Sequence, residues 1–404
     1  MIINADLHIH SHFSKSVSED MTIERISLEA PKKGINLVAT GDCLHPGWIK
    51  EIKTCNYVDE GTFELNQTRF ILSAEIEDKD HIHHLIYFYD FSKIDEFKEK
   101  IKNKTFNIEK DGKPKIKLDA EEIAFIAKEV DALIGPSHIF SPWTGVYSIK
   151  NSISECYKDM TDYVKFVELG LSASSDFADR IQELHRLTFL SNSDSHNPHP
   201  VRFGREFNKF KIDDITFKEI KKAILRINGN KTILNVGLPP QEGKYFESAC
   251  VFCNKHYELR EAKYLNWKCN CGNEIKKGVK HQIEEKASFL EPQHPYHRPK
   301  YQYTIPLSEI ITKAIGQRNP FTEISYKRWN ELISAFGNEI KILFDIDIKD
   351  IARITVPSIT EAIQAFRDGD YIIKSGGGGK YGQIFFPKER DLLILELDKK
   401  INDY

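Results

Sequence analysis

The feature that most constrains the fold is an alternation. Over residues 1–237, short apolar runs are separated by amphipathic stretches, and polar residues gather at the carboxyl ends of the runs. Runs at 2–8, 37–40, 70–76, 83–89, 132–134, 166–169 and 188–191 read as buried strands. Stretches at 22–33, 120–130, 176–187 and 217–227 carry the period of a helix with one apolar face. Repeated strand–helix units argue for a parallel α/β sheet, and this many favour a closed or nearly closed barrel. In such folds the active site forms where the strands end. There stand His8 and His10, Asp42, Glu75, His138, and Asp194 with His196.

His8-Ile9-His10 at a strand end puts both imidazoles on one face, because strand side chains alternate, and two such rings can chelate one cation. Further motifs follow in order: Thr40-Gly41-Asp42-Cys43-Leu44-His45, Ser73-Ala74-Glu75, Gly135-Pro136-Ser137-His138 and Ser193-Asp194-Ser195-His196. A mix of imidazole and carboxylate suits zinc, manganese or iron, whereas magnesium prefers oxygen ligands. A carboxylate between two histidine sets can bridge two cations, and cations about 3.5–4 Å apart stabilise both the attacking and the leaving oxygen of a phosphoryl displacement. Any one histidine is explained as well by a surface or capping role. Five motifs in order are not.

Cys250-Val251-Phe252-Cys253 and Cys269-Asn270-Cys271-Gly272 have the spacing of a zinc ribbon, except that the second knuckle is one residue short. Four thiolates close a tetrahedral zinc site and leave no position open for chemistry, so the expected zinc is structural. The other cysteines, Cys43, Cys55 and Cys156, are scattered and suggest no disulfide framework. The net charge of −3 does not point to nucleic acid, but residues 244–300 hold eleven Lys/Arg against seven Glu, so that stretch could approach phosphates.

The ordered set His-x-His, Asp/His, Glu, His, Asp-x-His resembles the PHP (polymerase and histidinol phosphatase) superfamily of metal-dependent phosphoesterases. The resemblance implies a distorted (β/α)7 barrel with two or three divalent ions (Zn, Mn or Mg). It makes His8 and His10 ligands of one metal, Glu75 the bridge, Asp194 the closing ligand and His138 a ligand of the second metal. His196 and the second motif would serve a third. The family's Thr-Asp-His is here Asp42-Cys43-Leu44-His45, which leaves Asp42, His45 or both as ligands. In His81-Ile82-His83-His84-Leu85 only one of the adjacent pair can point inward, and the resemblance favours His84.

Gly204-Arg205-Glu206-Phe207-Asn208, Gln241-Glu242-Gly243-Lys244-Tyr245, the cysteine segment with Lys276-Lys277-Gly278-Val279, His297-Arg298-Pro299 and Gly376-Gly377-Gly378-Gly379-Lys380-Tyr381-Gly382 are similar to one PHP subfamily, endonuclease Q. With these the resemblance covers nearly the whole chain. It implies a DNA-repair endonuclease that uses metal-activated water to cut the phosphodiester 5′ to uracil, hypoxanthine, xanthine and abasic sites, in duplex or single-stranded DNA. Candidate substrate contacts are Trp143 beyond His138, Arg205, Lys276, Lys277 and the run Gly376, Gly377, Gly378, Gly379, Lys380, Tyr381. Glycines let a backbone approach closely, and a tyrosine offers a stacking face. A plain hairpin turn accounts for the glycines equally well.

Leu238-Pro239-Pro240 marks a boundary. The expected division is a PHP barrel (1–237), a zinc ribbon (238–285) and a mixed α/β C-terminal nucleic-acid-binding domain (286–404), with helices near 307–315, 325–336 and 359–368 and strands at 371–373, 383–386 and 392–397. No apolar run approaches the roughly 20 residues of a membrane span, and nothing at the N-terminus reads as a signal peptide, so a cytoplasmic protein is expected. The tail at 392–404 lacks the glutamine, aliphatic and paired aromatics of a sliding-clamp motif, so no clamp is expected as partner. Two rivals stand beside this reading. A histidinol-phosphate-type small-molecule phosphatase would share the barrel but has no obvious need of a ribbon. A non-catalytic, metal-stabilised DNA-binding module would be expected to have lost a ligand or two.

Overall fold

The chain starts as the alternation predicts, with strand Ile2–Asp6 parallel to Leu37–Ala39 and that strand parallel to Thr68–Ile71. Helix Ile23–Lys33 makes the first crossover. Thr22 caps it by accepting the Arg25 N–H, and Gly34 ends it at φ +88°, where a side chain would be strained. The computed structural model describes residues 1–387 except Glu60 and Phe106. The expected strand at 392–397 and the tail lie outside these residues.

The sheet then departs from the parallel expectation. Phe207–Lys211 lies antiparallel to Ile2–Asp6, Lys231–Gly237 lies antiparallel to Phe207–Lys211, and Lys300–Tyr303 adds a parallel edge. On the other side Thr62–Leu65 and Asn56–Asp59 are antiparallel, which completes eight strands. Ser73–Glu77, His83–Tyr87 and Leu133–Pro136 form a separate antiparallel sheet, and Phe166–Glu168 pairs in parallel with Thr188–Leu190. The fold is mixed α/β. Among the described residues its ladders form separate sheets, which do not by themselves trace the closed or nearly closed barrel expected. Individual backbone bonds link the sheets instead: Cys43 N–H to Ser73 C=O, Ile139 N–H to Glu168 C=O and His10 N–H to Ser195 C=O, each at 3.0 Å. All three links lie beside the residues of the candidate site.

The helix expected at 176–187 is broken into Ser175–Ala178 and a 3₁₀ turn, Gln182–Arg186. A tertiary contact overrides the local pattern. The Arg180 carbonyl accepts from the N–H groups of Ser288 and Phe289, and Arg298 grips the buried Asp179 carboxylate at 2.9 Å.

Ala249–Cys250 and Ile275–Lys276 form a small antiparallel pair over Tyr257, Ala262 and Cys269. Helices Leu307–Ala314, Glu323–Phe336, Glu339–Phe344, Ile348–Ala352 and Pro357–Asp368 enclose an apolar cluster around Trp329, Ile363 and Phe366. The hairpin Ile372–Lys374/Gln383–Phe385 follows. A buried ion pair ties this last part to the first helix. Lys33 Nζ donates to Glu339 Oε1 at 2.6 Å and to the Pro200 carbonyl at 2.7 Å, while Glu339 Oε2 accepts from Trp329 Nε1 at 2.7 Å. Among the described residues no helix is long and apolar enough to cross a membrane.

Candidate metal centre and cavity

Three overlapping trios of side chains meet where the strands end: His8, His10 and Glu75; His10, Asp194 and His196; Glu75, His83 and His138. Glu75 and His10 each belong to two. His10 Nε2 lies 3.3 Å from both Glu75 Oε2 and Asp194 Oδ1. Glu75 Oε1 lies 2.9 Å from His138 Nε2 and 3.0 Å from His83 Nδ1. Asp42, His138 and Asp194 all hold positive φ values, 46°, 28° and 47°. Non-glycine residues there cost about 1–3 kcal/mol each, strain that surrounding structure must over-determine.

Two carboxylates stand behind the rings and set their tautomers. Asp42 Oδ1 accepts from His10 Nδ1 at 3.1 Å, while its Oδ2 accepts from Ser11 N–H, Ser11 Oγ and Ser14 Oγ. Glu168 Oε2 likewise accepts from His8 Nδ1 at 2.9 Å. Both rings thereby turn Nε2 toward the cluster, the arrangement in which an outer carboxylate orients a metal-binding histidine. Asp42, one of the expected ligands, thus stands behind His10 and outside the trios. Glu168 escaped the sequence reading, although a lone carboxylate in the apolar run at 166–169 was its signal.

Two expected ligands fall elsewhere. His45 caps helix Pro46–Ile52, with Nδ1 accepting from Gly47 N–H and Nε2 donating to the Glu109 carbonyl, so neither nitrogen is free. His84 points away, bonded to Tyr157 Oη at 2.6 Å and Asp78 Oδ2 at 3.1 Å, and His83 takes the place assigned to it. The cause is strand register. Glu75 faces Leu85 and Glu77 faces His83, so His83 shares the Glu75 face while His84 shares that of Ile76.

The donor atoms fit cations. His8 Nε2, His10 Nε2, Glu75 Oε2, His138 Nδ1 and Asp194 Oδ1 are buried without hydrogen-bond partners, and such groups are costly unless something binds them. Burial opposes protonation of His8, yet Glu168, Asp194 and Glu75 overcome it and push the ring up to about 9. Burial would raise the Glu75 carboxyl, but His83, Lys113 and His8 hold it well below the usual range. The pocket attracts positive charge, which protons or metal ions can supply in competition.

The centre opens into a cavity of about 280 Å³ walled by Phe140, Leu171, Ser172, Lys244, Tyr245 and Tyr381. Tyr381, itself exposed, lines this cavity, as do Lys113 and Asn192, which the sequence reading passed over. Trp143 is also exposed, with Lys276 Nζ 3.2 Å above its ring. Lys277 is bound to Glu285 at 2.6 Å. Arg205 is buried and donates Nε and Nη2 to the Ser193 carbonyl at 3.2 and 3.1 Å, so it braces the Asp194 loop and does not line the cavity. The close approach that the glycine run permits is to the protein itself. A Cβ on Gly377 would meet Ala249 Cβ and Glu247 O at 2.9 Å, and one on Gly378 would meet Cys250 O at 2.5 Å. Gly379 and Lys380 are exposed.

Cys250, Cys253, Cys269 and Cys271 bring their sulfurs within 4.8 Å of one another, with Cys250–Cys271 at 3.4 Å and Cys253–Cys269 at 3.5 Å. The short second knuckle does not prevent four sulfurs from converging. Their chemistry fits one tetrahedral metal ion.

The fold and donor sets define an α/β protein built to hold several cations beside an open cavity. Residues 306–370 match the family model of the MJ0043 C-terminal domain. The crystal structure of the lesion-specific endonuclease PfuEndoQ from Pyrococcus furiosus is 47% identical, with a TM-score of 0.90 and 96% of each chain covered. That of Endonuclease Q in complex with a 27-mer duplex substrate, with an abasic lesion at the active site, is also 47% identical. Its TM-score is 0.92, covering 96% of this chain and 98% of that one. The uncharacterized protein MJ0043 of Methanocaldococcus jannaschii is 46% identical over 257 residues, 62% of this chain and 32% of that protein, so the chain spans about a third of that relative's length. The chain belongs to the endonuclease Q family.

Proposed function

We propose that this protein is a DNA-repair endonuclease that hydrolyses the phosphodiester 5′ to deaminated bases and abasic sites. The observation that carries the reading is the set of unpartnered buried donors around Glu75, opening on a cavity, in a chain 47% identical to an endonuclease crystallised on an abasic duplex. Residues 1–237 make up a distorted PHP-type barrel, 238–285 a zinc ribbon and 286–404 a domain that helps to grip DNA. Two or three divalent ions (Zn, Mn or Mg) belong to the first and one structural zinc to the second. The protein works in the cytoplasm, where the free, buried thiols of Cys43, Cys55 and Cys156 stay reduced.

His8, His10, Glu75, His83, His138, Asp194 and His196 would hold the catalytic cations. The chemistry these supply is Lewis acidity, which activates water near neutral pH and neutralises phosphate oxygens. Asp42 and Glu168 keep the His10 and His8 rings in the binding tautomer. Arg205 fixes the Asp194 loop through Ser193. An abasic or deaminated nucleotide is turned out of the stack at a cost of a few kcal/mol, least for a damaged position, and enters between Leu171, Ser172, Tyr245 and Tyr381. Lys244, Lys276 and Lys380 meet backbone phosphates, which carry no sequence information.

The test is incubation of end-labelled duplexes carrying one uracil, hypoxanthine or abasic site with manganese or magnesium, followed by mapping of the cut. A single break 5′ to the lesion, absent from the undamaged duplex, is expected. Cleavage of histidinol phosphate with no strand break would replace this reading with that of a small-molecule phosphatase.

A further inference from the structure

Two lysines line the cavity. Lys244 lies over the rings of Tyr245 and Tyr381, whereas Lys113 reaches the cluster, with Nζ 3.3 Å from Glu75 Oε2. Its backbone is held on both sides: Gly112 N–H donates to the Phe13 carbonyl, Glu77 N–H to Pro114 and Ile116 N–H to Glu77. Gly112 is pressed so close to the site that a Cβ there would lie 2.3 Å from Asp42 Oδ2 and 2.5 Å from Ser14 Oγ. The backbone is therefore fixed and Glu75 holds the ammonium, yet the side chain keeps 28% of its surface open.

Charge points to its partner. Asp42, Glu75, Glu168 and Asp194, with Asp6 behind His8, surround the two histidines of the first motif, and the negative charge of these carboxylates is what the cations would meet. Lys113 stands on the cavity side of that set with its ammonium partly open, the complement of the single negative charge on a phosphodiester.

We propose that Lys113 is a catalytic residue whose ammonium binds a non-bridging oxygen of the scissile phosphodiester and neutralises the charge that builds there in the transition state. This rests on the phosphodiesterase reading above. In the step a water oxygen bonds to phosphorus and the bond from phosphorus to the leaving sugar oxygen breaks. One water proton ends on that sugar oxygen, the other stays on the new phosphate monoester, and Lys113 neither gains nor loses a proton.

Lys113→Met and Lys113→Arg in the full chain test it. Single-turnover cleavage of an abasic duplex should fall about 100-fold or more in the Met variant, the effect of losing one preorganised transition-state donor, and by about tenfold or less in the Arg variant. Bound metal and thermal midpoint should match wild type, and duplex affinity measured in calcium should change by less than about threefold, since the contact strengthens mainly in the transition state. Loss of metal from the Met variant would make Lys113 a support for Glu75 and overturn the proposal, as would a rate within about threefold of wild type. If wild type cuts no lesion duplex, the function reading fails. Bis(p-nitrophenyl) phosphate then supplies the same Met-against-wild-type comparison, with the same two outcomes overturning the role of Lys113.

Discussion

The Glu168 carboxylate accepts a hydrogen bond from His8 Nδ1 at 2.9 Å, and it also accepts the His138 N–H at 3.0 Å through its other oxygen. One side chain thus orients a ring from the first trio and the backbone of the third. Glu168→Gln should lower metal affinity about 10- to 100-fold, the usual result of losing an outer-shell partner. Equilibrium dialysis with manganese reads this directly, and unchanged occupancy would remove Glu168 from the centre.

His83→Ala and His84→Ala should separate. The first strips a donor from the trio with Glu75 and His138 and should cost metal and activity together. The second opens a gap beside Tyr157 and should lower the unfolding midpoint while metal content stays near wild type. The reverse pattern would return the ligand role to His84.

What the sequence could and could not reveal divides at this pair of histidines. His8, His10, Glu75, His138, Asp194 and His196 were legible because each ends or follows an apolar run, and the strand period alone decides which face such residues share. Choosing His83 over His84 needs the pairing of residues 73–77 with 83–87, which no local pattern encodes. Lys113 was invisible because it lies on a bend outside any regular element, with no period to place it. The change of sheet at Leu72 was not legible either, because a continuous apolar run at 70–76 looks the same in one strand or two.

Cys250→Ser should remove the ribbon metal, lower the thermal midpoint and weaken duplex binding, since metal binding supplies folding energy to so small a module. Slow hydrolysis of bis(p-nitrophenyl) phosphate should persist. Full zinc content by mass spectrometry in the variant would exclude the quartet as a site.

Gly377→Val and Tyr381→Ala should act differently, although they are near neighbours. The valine collides with Ala249 and Glu247, so it should destabilise the protein and weaken damaged and undamaged duplexes alike. Tyr381 faces the cavity, so its loss should reduce the preference for uracil over thymine with the midpoint unchanged. Wild-type selectivity in the Tyr381 variant would move the base pocket elsewhere.

Glu206 is fully buried, with Oε1 accepting the Leu238 N–H and Oε2 unpartnered, and burial pushes its carboxyl from 4.5 up to about 8. The folded chain therefore keeps a proton that the unfolded chain releases. Stability contributed by this group is complete below pH 4.5 and drains away as pH rises to about 8. Glu206→Gln should remove that slope, gaining on wild type in urea midpoint between pH 5 and pH 8. A constant difference across that range would show that Glu206 does not titrate there.

The Lys33–Glu339 pair has a consequence for how this protein can be cut apart. A chain shortened before residue 339 would take away the carboxylate that Lys33 Nζ meets at 2.6 Å, and losing one partner of such a pair costs about 3–5 kcal/mol if the other stays buried. Because Lys33 also holds the Pro200 carbonyl, a few residues past His196, the injury would be felt at the rim of the catalytic centre and not only at the severed end. The amino-terminal portion is therefore not a free-standing cassette: anyone grafting it onto another protein must carry a carboxylate to that spot or replace the lysine.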